Sequence, residues 1–431
     1  MKFAIIADDL TGANDSGVQL TRFGLRTAVL IGAKSHSLEE RDAVVFDTDS
    51  RSLPQDEAYR KVKEISEFLH SANSYVMFKK IDSTMRGNVG AEVNAIYDVC
   101  RPDFAVIAPA YPAMGRQVIE GYLYVNGKLV HETEVGHDPK TAVKESFLPR
   151  LIEEQSKRRV GHISSRELSY GPDYLHSKLA QFKSEGTHYL LVDAAEDGEL
   201  QAMAGLLIGT RYSVVWAGSA GLANVLPSAY GMQRTERSFP LSPSDSPVLL
   251  VVGSVSRVAR KQLQLVLSEP NVTGIKLHSH LAVADERTRE AEWIRVYEEA
   301  RGALAGGNHI ALYSSGDPLD IEQAVQTGNK QGMDAVGVSN VIADCLGRAA
   351  FQLIHSEGIG RMVLAGGDTA KRLLNRLDAV DIELLDEVEP GIPLGRIESQ
   401  QGAYVITKAG SFGSETALVK SLKKLSHGSA E

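Results

Sequence analysis

Two stretches near the N-terminus concentrate residue types that can move protons or hold anions. The first is Ala7-Asp8-Asp9-Leu10-Thr11-Gly12, where a short apolar run ends in two adjacent carboxylates. A carboxylate in such a place can accept a hydroxyl proton or bind a divalent cation. Successive residues of an extended chain point to opposite faces, so one acid is expected to face a crevice and the other to hold the loop. The plainer alternative is a solvated loop followed by a helix that Asp15 caps. The second stretch is Lys79-Lys80-Ile81-Asp82-Ser83-Thr84-Met85-Arg86-Gly87-Asn88. Its cations surround one acid and two hydroxyls just ahead of a predicted helix, a setting that favours an anion. Arg86 can grip a carboxylate with both arms of its fork. Ser83 or Thr84 can instead simply cap the helix. Asp47-Thr48-Asp49-Ser50-Arg51 could add Arg51 to the same anion site.

The C-terminal half carries three loops of small residues. They are Gly253-Ser254-Val255-Ser256, Ala365-Gly366-Gly367-Asp368-Thr369 and Lys408-Ala409-Gly410-Ser411. Glycines let a backbone approach a phosphate closely, and Asp368 or Thr369 can cap a following helix. One such loop is a common tight turn. Three in one half of the chain point to a shared nucleotide cleft.

The elements that must position these loops form an alternating pattern. Phe3–Ala7, Thr27–Ile31, Ala43–Phe46, Tyr75–Phe78 and Phe104–Ala108 read as buried strands, and Asp15–Phe23, Gln55–His70 and Asn88–Val99 as helices between them. Alternation of this kind predicts an α/β fold with a mainly parallel sheet flanked by helices. Each candidate loop follows a predicted strand, which is where open α/β sheets bind ligands. Tyr111–Asp138 interrupts the pattern, and Asn126-Gly127 predicts the type I′ turn of a β-hairpin that overhangs a site. A polar segment with Pro240, Pro243 and Pro247 precedes a second α/β series built on Val248–Val252, Gly274–Leu277, His309–Leu312, Met362–Ala365 and Ala403–Thr407. The expected organisation is therefore an N-terminal domain over 1–235, a linker over 236–247 and a C-terminal domain over 248–431, with the active site in the cleft between domains.

Composition narrows the function. The 431 residues carry a formal net charge of −9, which argues against a general nucleic-acid binder. Two cysteines, Cys100 and Cys345, are too few for a disulfide framework or a cysteine zinc site. No apolar run approaches the ~20 residues of a membrane span, and the N-terminal one is too short for a signal peptide. The expected compartment is the cytoplasm. Gly121 and Gly127-Lys128 imitate a phosphate-binding P-loop, but the spacing is one residue too long and Leu129 stands where Ser or Thr belongs. No G-x-G-x-x-G follows the first strand of either half. His131, Glu134, His137 and Asp138 match no strong metal motif and read as a solvated or substrate-facing loop.

Taken in order, IADDLTGANDSG at 6–17, KKIDSTMRGNVGAE at 79–92, APAYPAMGRQVIEGYLYVNG at 108–127, GSVSRVARKQ at 253–262, LAGGDTA at 364–370, EPGIPLGRI at 389–397 and KAGSFGSE at 408–415 resemble the four-carbon acid sugar kinase family along the whole chain. HETEVGHDPKTAVKES at 131–146 is most similar to its D-threonate branch. The resemblance implies an N-terminal domain that binds the sugar acid and a C-terminal domain that binds ATP. It also implies Mg²⁺ and phosphorylation of the terminal hydroxyl. Carried onto this chain, Asp9, Arg51, Asp82, Ser83 and Thr84 would contact the acid. Ser254, Gly366, Gly367, Asp368, Thr369 and Gly410 would contact ATP, with Ser256 and Ala365 beside them. Lys80 and Arg86 are expected to assist at the acid or the transferring phosphoryl group, with Asp9 as the base and Asp82 orienting the acceptor. The partners expected are small molecules only, and a homodimer is the commonest assembly for such a chain. The rival readings are a metal-dependent aldolase, dehydratase or hydrolase built on Asp8, Asp9 and His137, and a sugar-acid sensor without chemistry.

Overall fold

The computed structural model describes residues 2–31, 41–72, 74–138, 141–235, 239–397 and 402–428. Residues 236–238 of the expected linker and residues 139–140 of the 131–146 segment lie outside the described residues. The chain divides into two compact units, Met1–Arg237 and Ser238–Glu431.

The first unit is built on eight strands. They are β1 (Phe3–Ala7), β2 (Thr27–Ile31), β3 (Ala43–Asp47), β4 (Val76–Lys80), β5 (Phe104–Ala108), β9 (Val160–Ile163), β10 (Tyr189–Val192) and β11 (Val214–Gly218). Three further strands, β6 (Arg116–Ile119), β7 (Tyr122–Val125) and β8 (Lys128–Leu129), form a separate small sheet. The eight run in the order β2-β3-β1-β4-β11-β5-β10-β9, and every pairing is parallel. Phe3–Ala7 and Phe104–Ala108 are buried throughout, as strands covered on both faces must be. From β1 the chain moves to one side, through β2 and β3. From β4 onward it lies on the other. This reversal leaves a crevice outside the strand ends beside β1, the place where doubly wound sheets bind ligands. Ala7, Asp47 and Lys80 stand level in the register, so the loops after β1, β3 and β4 leave the sheet side by side.

The first helix differs from the sequence expectation. It spans Leu10–Thr21 and starts at Asp9, whose carboxylate accepts from the Gly12 amide; Asp15 lies inside it. Ser83 and Thr84 cap no helix either, because the next one begins at Val89. Tyr111–Asp138 does form the expected insertion. Asn126 (φ 50°) and Gly127 (φ 78°) supply the paired positive φ angles of a type I′ turn between β7 and β8.

The second unit orders its strands β13 (Val272–Leu277), β14 (His309–Ser314), β12 (Leu249–Val252), β15 (Arg361–Ala365), β18 (Ala403–Lys408), β17 (Ile392–Ile397) and β16 (Asp381–Glu389). The first five are parallel, while β17 and β16 add an antiparallel ribbon that the sequence reading did not anticipate. The chain again moves to one side after β12 and crosses to the other at β15. Val252, Ala365 and Lys408 end level with one another. Leu241 packs into the core of this unit with Leu250, Val363 and Ile406.

A buried ion pair locks the base of the first crevice. Lys79 Nζ lies 2.7 Å from Glu92 Oε2, with both side chains essentially inaccessible. The amine also donates to the carbonyls of Ile6 and Lys80, and Glu92 accepts from Ser50 Oγ at 2.7 Å. One pair thus ties β1, β4, the loop after β3 and helix Val89–Cys100. Removing one member strands the other charge in the core, so Glu92→Ala should cost about 3–5 kcal/mol in urea unfolding. The double change Lys79→Met/Glu92→Leu should recover most of that loss. A Glu92→Ala midpoint matching the wild type would show that the pair holds nothing.

Candidate active site

The first crevice gathers Asp9, Arg51, Lys80, Asp82, Ser83, Thr84 and Arg86, all singled out in the sequence, together with Asp8. Arg51 is the hub. Its Nε donates to Asp8 Oδ2 at 2.7 Å, and its Nη2 reaches Asp8 Oδ1 at 3.0 Å and Asp9 Oδ1 at 2.7 Å. Its Nη1 lies 3.8 Å from Asp82 Oδ1. The loop that carries Arg51 is fixed by its own backbone, since Ser50 and Arg51 both donate their amides to the Asp8 carbonyl.

Asp82 is saturated. It accepts from Arg86 Nε at 2.9 Å and Nη2 at 3.0 Å, from the Thr84 amide at 3.2 Å and from the Thr84 hydroxyl. Burial alone would raise its pKa, but Arg86 and Arg51 outweigh burial and hold it well below the usual carboxylate range. Burial likewise works against ionised Asp8, and Arg51 with Lys79 and Lys80 reverses the effect. Both acids are therefore fixed anions and poor proton acceptors. Asp9 differs. Its Oδ1 caps the helix and meets Arg51, while its Oδ2 makes no hydrogen bond among the described residues. Its side chain is also the most open of the three carboxylates, at 28%.

Lys80 points its amine at the same place. A Cβ on Gly12 would stand 2.6 Å from both Lys80 Nζ and Asp9 Oδ1, so only glycine leaves room for them. Lys80 has no carboxylate within ion-pair distance among the described residues. Ser83 is half-buried, and its hydroxyl makes no hydrogen bond among the described residues.

The second crevice brings together the three small-residue loops. Gly253 and Ser254 donate their amides to the Ala365 carbonyl, and the Gly366 amide donates to that of Lys408. A Cβ at Gly253 would meet Thr369 Oγ1 at 2.0 Å, and one at Gly410 would meet Ser254 Oγ at 2.1 Å. Gly366 adopts φ +120°, which side-chain-bearing residues rarely reach. Helix Gly367–Arg376 then begins with its first amides at the mouth of the crevice. Ser256 is spent locally, donating its hydroxyl to the Gly410 carbonyl at 2.7 Å and accepting from the Ala259 amide. The first amides of helix Gly367–Arg376, rather than those of Gly253, Ser254 and Gly366, are the N–H groups that suit a phosphate.

The sequence reading assigned no role to Lys408, although it quoted the residue. Its amine is buried against the carbonyls of Ala409 and Gly410, and burial pushes its pKa down to about 7 with only Glu389 opposing. A lysine ending a strand ahead of an Ala-Gly pair is a faint signal. Arg260 was missed too. It donates Nη1 to the Ser314 carbonyl and keeps Nε and Nη2 buried without partners among the described residues. Of the four residues considered for a metal, His131 meets Ser146 Oγ and His137 meets the Thr133 carbonyl. Among the described residues no three His, Cys, Asp or Glu side chains group to hold a metal ion, and no helix is long and apolar enough to cross a membrane.

Comparison with known proteins follows the same division. Residues 3–226 match the model of a sugar-binding N-terminal domain and residues 249–418 that of a nucleotide-binding C-terminal domain. A D-threonate kinase of Salmonella typhimurium is 34% identical over 425 residues, covering 98% of each chain. A D-erythronate kinase of Heliobacterium modesticaldum is 31% identical, covering 96% of this chain and 94% of its own. A solved structure of a Salmonella typhimurium LT2 protein, assigned provisionally as a tRNA synthase, superposes with a TM-score of 0.79 at 25% identity, over 97% of this chain and 98% of the other. With both domain models matched in order and relatives aligned from end to end, the chain belongs to the four-carbon acid sugar kinase family.

Proposed function

We propose that this protein transfers the γ-phosphoryl group of ATP to the terminal hydroxyl of a four-carbon sugar acid, D-threonate first among them, in the cytoplasm. The observation that carries the reading is the pairing of two built crevices. One is a charged pocket in which, among the described residues, Asp9 keeps an uncommitted carboxylate oxygen, and the other is a cradle of glycine loops packed so closely that a Cβ at 253 or 410 would collide with Thr369 or Ser254. The cradle fits a nucleotide's phosphates, with Ser254, Gly366, Gly367 and Thr369 as its walls. Mg²⁺ would be held chiefly by those phosphates, because Asp8 and Asp82 are already bound by guanidinium groups; it would supply charge neutralisation during transfer.

In the reaction the terminal hydroxyl oxygen bonds to the γ-phosphorus, the bond from that phosphorus to the β-bridging oxygen breaks, and ADP leaves. The hydroxyl proton goes to Asp9 Oδ2. Asp82 stays ionised and orients Arg86 and Arg51, so its part is positioning. Lys80 stands beside Asp9 to offset the charge that gathers on the transferring group.

The direct test is ADP release with Mg²⁺ and ATP against D-threonate, D-erythronate, L-threonate and the oxo-tetronates, with the phosphorylated product identified by mass. Release that depends on D-threonate supports the reading, preference for another acid moves the protein within the family, and silence with the whole panel ends the kinase reading. Asp9→Asn keeps a side chain that can cap the helix, so the fold should persist while kcat drops about 10²–10⁴-fold. Full turnover in that variant would remove Asp9 as the base.

Lys408 adds a pH dependence. Its amine titrates near 7 because it is buried. Phosphates bound in the cradle would favour the protonated form, so binding above that pH takes up a proton and affinity falls as pH rises through about 7. Titration calorimetry of ATP in buffers of different ionisation enthalpy should show this uptake, and Lys408→Met should abolish it. Affinity that stays flat across the same range would place the phosphates away from Lys408.

A further inference from the structure

The arginines of the first crevice have no open edge for a substrate carboxylate. Arg51 gives Nε and Nη2 to Asp8 and Asp9, and Arg86 gives Nε and Nη2 to the two oxygens of Asp82. Its remaining Nη1 faces Asp138 at 3.5 Å. Four carboxylates thus occupy the two guanidinium groups, while Lys80 has none at ion-pair distance among the described residues. Lys80 offers an anion a single point charge, so a donor that grips both oxygens of a carboxylate has to come from elsewhere.

Arg116 has one to give. It opens β6, the first strand of the insertion that leaves the sheet after β5, and β5 stands two places from β4 in the strand order. The insertion is pinned at both ends. Tyr111 and Arg116 exchange backbone hydrogen bonds at its base, and Asp138 at its far end meets Arg86 of the crevice. The Arg116 guanidinium donates Nη1 to the Met114 carbonyl. Its Nε is buried without a partner, and its Nη2 makes no hydrogen bond among the described residues. No carboxylate lies within the 4.0 Å of an ion pair among the described residues, although Asp82 and Arg86 are near enough to act on its charge. Burial pushes its pKa down, and Asp82 offsets that only in part. The Nε–Nη2 edge is the face that takes a planar anion with two parallel hydrogen bonds.

We propose that the unpartnered Nε–Nη2 edge of Arg116 binds the carboxylate of the sugar acid. The insertion then selects the acid while the strand-end loops hold the hydroxyl that reacts. This assignment rests on the kinase reading for the identity of the ligand. It is tested by binding, which does not require turnover.

Calorimetric titration of D-threonate, D-erythronate and L-threonate into the wild-type chain, Arg116→Gln and Arg116→Lys decides it. Arg116→Gln should weaken the acid that binds best roughly 10- to 100-fold while ATP affinity stays within about twofold. Arg116→Lys, which keeps the charge and loses the fork, should recover part of the loss. Acid binding by Arg116→Gln at the wild-type level overturns the proposal, as does an equal loss of acid and ATP affinity with a lowered melting temperature. Acid binding to the wild-type chain without ADP release would end the kinase reading and leave Arg116 to be judged by the affinities. No binding of any of these acids to the wild-type chain would overturn both.

Discussion

Arg51 is the tie on which the first crevice depends. Asp8, Asp9 and Asp82 come from two strand-end loops that the parallel register places side by side. Two carboxylates about 4 Å apart repel by roughly 4 kcal/mol at the effective dielectric of a protein surface. Arg51 reverses the sign of that interaction for all three acids at once, and its own loop is hydrogen-bonded to the strand end it serves. The Lys79–Glu92 pair stands behind it as a second layer. Glu92 holds Ser50, the residue before Arg51, so a wholly buried interaction sets the position of a largely buried one beside the crevice.

The strands were legible because both faces are covered. A strand such as Phe3–Ala7 has no polar alternation to confuse with a helix, and the acids that follow mark its end. The Asn126-Gly127 turn was legible for a local reason, the positive φ that both positions require. Non-local facts were not. Nothing in the spacing of Asp8, Asp9, Asp82, Arg51 and Arg86 says which acid takes which guanidinium. That outcome decides which oxygen stays open. The start of the first helix was misplaced because Asp9 was read as chemistry and Asp15 as the cap, whereas Asp9 Oδ1 caps the helix and only Oδ2 is left over. The β16–β17 ribbon escaped because its alternation is broken by register shifts at Leu384/Asp386 and Glu387/Glu389, which put acids where a strand pattern expects apolar residues.

The two crevices solve opposite electrostatic problems by the same topology. Each lies where the chain changes sides of a parallel sheet, beside β1 in one unit and between β12 and β15 in the other. The first is crowded with fixed charges of both signs, which suits a small, densely functionalised ligand. The second is built from backbone and small side chains, with Asp368 exposed at its helix start and Lys408 buried beside it, which suits a polyanion. Lys408 shows the cost of the second arrangement. With only Glu389 to oppose burial, its amine loses the preference for being charged until an anion arrives.

That asymmetry bears on where metal charge enters. A divalent ion binding directly to Asp8 or Asp82 would have to displace guanidinium bonds as short as 2.7 and 2.9 Å. Those bonds are made by the groups that keep the pocket's acids together, so the exchange would dismantle the pocket it was meant to serve. An ion carried in on nucleotide phosphates avoids the conflict. It brings its own ligands and leaves the open oxygen of Asp9 to the hydroxyl proton. Under the proposed reading the acid pocket is therefore complete without metal, and the metal belongs to the nucleotide. Arg51 and Arg86 are then spent on holding the pocket's acids together, and the inserted hairpin has reason to supply a further cation.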